Sequence, residues 1–316
     1  MSTSRASNEK RSLVPLPPDL MNIPTIEAEP WFQIDQGSVT FLEGPVFDRE
    51  DNLFVTHPQA GKVFRITPQK QMNIIFEDNK IEVDGAAFHR DGRLFIACLT
   101  GELLILSPEN YKPTPVYPEY RDNTLTMNDL VFDPKGNLYV TDFTGTVMEP
   151  TGGVYRINAD LKTIEPVVLG LASPNGVSLS PEANVLWIGA SNSNMILRIA
   201  LLEDGVTCSQ VSGVIPVYFS TGAPGPDSNK VDSAGNLYQC IMGQGRIIVL
   251  NRQGIPVANV IIPGRDEGKF LRTSNLAFRP GTAEGYITTS GDGGAWICKF
   301  EGLAKGLPLF SHRSDA

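Results

Sequence analysis

The stretch TMNDLVFDPKGNLYVTDFTG, residues 126–145, sets two oxygen-bearing side chains, Asn128 and Asp129, directly before an apolar run that reads as a strand. At such an entrance a carboxylate or amide accepts hydrogen bonds, ligates a cation or moves a proton, and one copy distinguishes none of these. The pattern occurs six times. Aligned by phase, its first residues are Glu43, Asp84, Asn128, Asn175, Asp227 and Ser274, with successive starts 41, 44, 47, 52 and 47 residues apart. All six bear side-chain oxygen, three as carboxylates and two as amides. If the repeats close on themselves these oxygens form a ring, and crowded carboxylates need a cation or a water cluster to join them.

A mixed set of carboxylate and amide oxygens suits a hard cation, Ca²⁺ ahead of Mg²⁺ or Mn²⁺, and argues against Zn²⁺, which prefers His and Cys. None of the three histidines, His57, His89 and His312, stands at the ring phase; His57 ends the second strand of the first unit, where it can line a pocket. A plainer reading stands beside this one. Asn-Gly and Asp-Gly pairs form turns, and short polar side chains at strand starts satisfy local backbone groups, so from the residues alone both readings stay open. Acids at the opposite strand ends, such as Asp133 and Asp232, read as turn residues.

The elements that position the ring follow from the repeat. Each unit reads as a short strand, a polar turn, a second β-branched strand, a loop, a third strand such as KVFRI or RIIVL, and a variable fourth such as MNIIFED or PVANVIIPG. Six such units predict an all-β, six-bladed β-propeller with four-stranded blades around a central channel, metal-containing on the cation reading of the ring, the first strand of each blade innermost. The expected domain spans 31–305. Residues from Trp31 to Val39 are expected to complete the last blade, residues 1–30 to form a flexible Pro-rich extension, and residues 306–316 to form a tail.

Composition narrows the function. The chain has 316 residues, 41% hydrophobic and 19% charged, enough for a full core, and its 35 acidic against 26 basic residues give a net charge of -9. Such a field disfavours nucleic acid and anionic lipid as partners. No apolar stretch suits a signal peptide or a membrane span, and the expected location is the cytoplasm. Cys98, Cys208, Cys240 and Cys298 lie far apart, mostly in apolar runs, and read as buried free thiols. No GxSxG elbow and no Cys/His cluster supports another hydrolase chemistry, and GDGGA at 291–295 reads as a hairpin, since no helix follows it.

The segments LEGPVFD, NDLVFDPKGNLYVTDFTG, SPNGVSLSP and GPDSNKVDSAGNLY resemble the family of gluconolactonases, luciferin-regenerating enzymes and senescence marker protein. The stretch GQGRIIVLNRQGIPVANVIIPGRDEGKFLRTSNLAFRPGT resembles the bacterial drug-responsive lactonases within it. The resemblance runs from about Trp31 to Lys305. It implies a catalytic divalent cation, usually Ca²⁺, held by Glu43, Asn128, Asn175 and Asp227, with Ser228 as a further contact, and hydrolysis of a small-molecule lactone or related ester. The drug-responsive branch carries Asp where this chain has Asn128, and a hairpin that holds part of its second, structural cation is shortened here to CLTGELLIL. For that second cation the stretch Asp122-Asn123-Thr124 is read as a plain loop.

On this reading Asp227 transfers the proton, as general base or as direct nucleophile. Asp84, Asp142, His57 and Phe143 are candidates to orient the ligands or touch the substrate, and Met127, Met148 and Met242 to line an apolar pocket. Two alternatives remain: hydrolysis of a phosphotriester or specialised cyclic ester on the same site, and a non-catalytic binding platform whose metal is structural. Oligomeric state is not legible.

Overall fold

The structure is a computed structural model that describes residues 12–37 and 40–313. Its strands assemble into six four-stranded antiparallel blades in a ring, a six-bladed β-propeller. Blade 1 comprises Glu43–Phe47, Leu53–His57, Lys62–Ile66 and Met72–Glu77; blade 2, Val83–Phe88, Leu94–Cys98, Leu103–Leu106 and Pro113–Val116; blade 3, Met127–Phe132, Leu138–Asp142, Gly152–Ile157 and Ile164–Leu171. Blade 4 comprises Pro174–Leu179, Val185–Ala190, Met195–Ala200 and Val214–Phe219, and blade 5, Pro226–Val231, Leu237–Ile241, Arg246–Leu250 and Pro256–Ile261. Blade 6 takes Arg272–Phe278, Glu284–Gly291 and Gly294–Glu301 from the end of the chain and Glu29–Asp35 from its beginning.

That closing strand begins two residues before Trp31 and ends at Asp35, within the expected Trp31–Val39; Val39 itself lies outside the described residues. A fifth strand in blade 5, Thr25–Glu27, pairs in parallel with Pro256–Ile261 and has no counterpart in the other blades. Preceding it, Leu20 is fully buried among Trp187, Ile196 and Ile248 at the seam of blades 4 and 5. Part of the Pro-rich lead-in thus packs as a strap over that seam.

Burial follows radial position. Inner strands such as Glu43–Phe47 and Leu94–Cys98 are buried throughout, whereas the outer Met72–Glu77 is largely exposed. Apolar clusters fill the seams between blades, for example Val46, Phe54, Ile96 and Leu106 between blades 1 and 2. At the far ends of the inner hairpins one turn recurs: Asp133 accepts Asn137 N (2.9 Å) and Nδ2 (2.8 Å), and Asp232 accepts Asn236 N (2.9 Å) and Nδ2 (2.8 Å). These acids are therefore structural, since the turn consumes their acceptor capacity. No helix of the described residues is long and apolar enough to cross a membrane.

The tail crosses the channel mouth that these turns surround. Leu307 N donates to Val231 O, Phe310 stacks on Phe132 at 5.1 Å, and Arg90 lies over the Phe310 ring at 4.5 Å.

Candidate metal centre

Every innermost strand changes register near its start, between Glu43 and Val46, Val83 and Ala86, Met127 and Leu130, Pro174 and Val177, Pro226 and Asn229, and Thr273 and Asn275. A bulge breaks the alternation of a strand, so consecutive residues escape the in/out rule. This accounts for the Asn128-Asp129 pair: both are buried, Asn128 bonding toward blade 2 and Asp129 toward blades 4 and 5. The Gly residues at the bulges are not turn formers. A Cβ on Gly85 would lie 2.7 Å from Asp129 Cα, and one on Gly176 would lie 2.5 Å from Ser228 Cα, so neighbouring inner strands touch backbone to backbone there.

The six phase residues converge as a buried ring, none more than 6% exposed. Asn128 Nδ2 donates to Asp84 Oδ2 (3.0 Å), Asn275 Nδ2 and Gly44 N donate to Glu43 Oε2 (2.8 and 3.1 Å), and Ser228 Oγ donates to Asn175 Oδ1 (3.4 Å). Ser274 stands apart from these donors: its hydroxyl is engaged by Leu42 O (2.5 Å) and Thr288. After this accounting, Asn128 Oδ1 and Asp84 Oδ1 are sealed from solvent with no hydrogen-bond partner.

The electrostatics point the same way. Burial, with the charge of Asp129, lifts the Glu43 carboxyl to about 7. Burial and then the charge of Glu43 hold the carboxyls of Asp84 and Asp227 well above the usual range. Three buried carboxylates that resist ionising beside unpartnered oxygens form a donor set whose cost a cation would relieve. No three His, Cys, Asp or Glu side chains among the described residues group closely enough to hold a metal ion between them. A cation at this mouth would thus need amide oxygens as well as carboxylates, a donor set that fits a hard ion and not zinc.

The other candidates fall around this ring. Asp142 accepts Thr126 N (2.9 Å) and the Thr144 hydroxyl (3.3 Å), bracing the entry to Met127–Phe132 without a bond to Asn128. His57, half-buried at the ring end of blade 1, has its imidazole pushed below the usual histidine value by burial and carries an unpartnered Nδ1. Phe143 is half-buried, and its N donates to Thr126 O (2.7 Å). Met127 is fully buried in the seam of blades 2 and 3, Met242 is half-buried, and Met148 is 93% exposed on the loop between the second and third strands of blade 3. Asp122-Asn123-Thr124 forms part of an exposed hairpin. An apolar cavity of about 100 Å³, walled by Phe88, Phe132, Leu309 and Phe310, lies at the opposite mouth under the tail.

Sequence reasoning named Asp129 beside Asn128 but missed its role beneath the ring and its partner Lys230. Asp129 accepts Leu130 N (2.8 Å), Val177 N (3.4 Å) and Lys230 Nζ (3.3 Å), and its charge bears on Glu43, Asp84 and Asp227. The available signal was Lys230, a cation inside the innermost strand Pro226–Val231.

Fold and site together define a six-bladed propeller with a buried ring of carboxylate and amide oxygens at one channel mouth. The chain belongs to the SMP-30/gluconolactonase/LRE-like family, whose model matches residues 41–291. It is 38% identical over 306 residues to a lactonase drp35 of Staphylococcus saprophyticus, covering 94% of each chain. Among solved structures, a calcium-binding regucalcin of Agrobacterium tumefaciens superposes with a TM-score of 0.74 at 15% identity, covering 92% of this chain and 99% of that one. A luciferin-regenerating enzyme superposes with a TM-score of 0.72 at 20% identity, covering 90% and 99%.

Proposed function

We propose that the protein is a divalent-cation-dependent lactonase, Ca²⁺ being the favoured ion, that opens the ester ring of a small lactone in the cytoplasm. The observation that carries this reading is the buried ring with its unpartnered Asn128 and Asp84 oxygens, and the lactonase name of the drp35 relative supports it. Glu43, Asn128, Asn175 and Asp227 would hold the cation, with Ser228 beside them. A bound divalent cation polarises an ester carbonyl and stabilises the oxyanion that develops on it.

The chain's residues supply the rest. Asp227 takes a proton from the water that adds to the carbonyl carbon, then hands it to the ring oxygen as the C–O bond breaks, leaving a hydroxy acid. Asn128, its amide nitrogen committed to Asp84, presents its oxygen in one fixed orientation. Asn275 and Gly44 fix one oxygen of Glu43 and leave Oε1 for the cation.

Hydrolysis of a lactone panel followed by pH-stat, before and after chelation and with Ca²⁺, Mg²⁺, Mn²⁺ or Zn²⁺ added back singly, tests the reading. Activity lost on chelation and restored by Ca²⁺ is expected; bound metal without turnover of any ester would favour a binding platform. Asp227→Asn is expected to retain the fold and most of the cation while turnover falls about 10²–10⁴-fold. Undiminished turnover would remove Asp227 from proton transfer. Glu43→Gln is expected to weaken Ca²⁺ binding in calorimetry, and an unchanged affinity would exclude Glu43 as a ligand.

A further inference from the structure

Outside the ring, the most exceptional polar group is Arg246, the first residue of the third strand of blade 5. It is 0% exposed, yet both its terminal nitrogens, Nη1 and Nη2, are sealed without a hydrogen-bond partner, and only Nε is engaged, by Gln244 Oε1 at 3.0 Å. The contrast with its neighbour is direct. Arg265, also buried, gives Nε to Gln244 O (3.0 Å), Nη1 to Asp266 (2.9 Å) and Nη2 to Val14 O. Arg246 has no ion pair among the described residues. The nearest approach to one is indirect: the Tyr218 hydroxyl lies beside the guanidinium and itself reaches the exposed Asp19 at 3.3 Å, and both groups favour the charged form.

A guanidinium cannot shed its proton to escape burial, so a buried one without a counter-charge is costly. Other polar groups at this seam are also unsatisfied. Gln244 Nε2 donates to Thr221 O (2.5 Å), and next to it the Ser220 hydroxyl is sealed without a partner; Ser220 N in turn binds Asn194 O, and Asn194 Oδ1 is orphaned too. The strap closes the region from outside through Leu20 and the Val14 carbonyl.

We propose that Arg246, at the seam of blades 4 and 5 beneath the N-terminal strap, binds a small inorganic anion through Nη1 and Nη2, chloride being the fitting species. A buried charge answered only by the Tyr218 hydroxyl and, through it, the exposed Asp19 asks for a monovalent partner, and full burial excludes an organic phosphate or a long carboxylate. Burial already disfavours the charged guanidinium, and Arg265 adds to this, so an anion here relieves both. The same seam carries Asn175 on one side and Asp227 with Ser228 on the other, so the ion clamps two blades that frame the metal ring. The proposal does not depend on the lactonase reading.

The test replaces chloride by bromide throughout purification and crystallisation of the full chain and maps anomalous scattering. A bromide peak within hydrogen-bond reach of Nη1 and Nη2 is expected; water density there, with bromide only elsewhere, overturns the site. In solution at constant ionic strength, exchanging chloride for gluconate is expected to lower the Tm of the wild type by about 2–4 °C and that of Arg246→Met by much less. Equal shifts in both proteins would be a general salt effect and would also overturn it. Should Arg246→Met fail to fold, the bromide map of the wild-type protein decides alone.

Discussion

Glu43 shows how the ring would tie stability to a bound cation. Its carboxyl is lifted from an ordinary value of 4.5 to about 7 by burial, and those of Asp84 and Asp227 move in the same direction. A group raised in the folded state holds its proton more tightly there than in the unfolded chain. Its contribution is present below the unfolded value and is lost as pH climbs from about 4.5 through 7. A bound cation would remove that loss. The gap in Tm between Ca²⁺-loaded and chelated protein is therefore expected to widen from pH 5 to pH 8 in scanning calorimetry. A constant gap would show that these carboxyls are not linked to cation binding. Much of this ring was legible as residues, because Glu43, Asp84, Asn128, Asn175 and Asp227 recur at one phase. Their division of labour was not, since the hydrogen bonds that consume Ser274 but leave Asn128 Oδ1 open depend on partners brought from other blades.

At the scale of the element, the bulge at the head of each innermost strand explains why Asn128 and Asp129 can both work inside the channel. A strict two-residue alternation would have pointed one of them away, so the sequence named Asp129 beside Asn128 without giving it a role and passed over its partner Lys230. The Asn-Gly and Asp-Gly pairs invited a turn reading for a related reason: glycine signals a turn and a close backbone approach equally well. Gly176→Ala provides the measure. Its Cβ would press on backbone, with Ser228 Cα at 2.5 Å and Asp227 O at 2.7 Å, so relief requires moving blade 5. The expected cost is about 1–3 kcal/mol in urea unfolding, together with weaker Ca²⁺ binding because Asn175 and Asp227 lie on either side of that contact. Loss of stability with intact cation affinity would mean that the ring spacing is set elsewhere.

For the whole molecule, the blades were readable because repetition supplies the same strand and turn signals six times, whereas the segments that join the ring's ends carry no such period. The Thr25–Glu27 strand, the strap before it and the tail across the far mouth became visible only with tertiary packing. Phe310 measures the tail: buried against Phe132 and His89, it is expected to cost about 3–5 kcal/mol when replaced by Ala, read by urea unfolding, with increased binding of a hydrophobic dye at the opened mouth. A change below about 0.5 kcal/mol would show that the tail merely rests there. The pairing of Glu29 with Lys299 has a consequence in time. During synthesis the strand Glu29–Asp35 leaves the ribosome before any strand of the six inner hairpins, yet its partner follows some 270 residues later, roughly 14–54 s at ordinary elongation rates. Throughout that interval the nascent chain is an open fan with an unclaimed edge at each end, and the ring becomes a single cooperative body only when Glu29–Asp35 meets Gly294–Glu301.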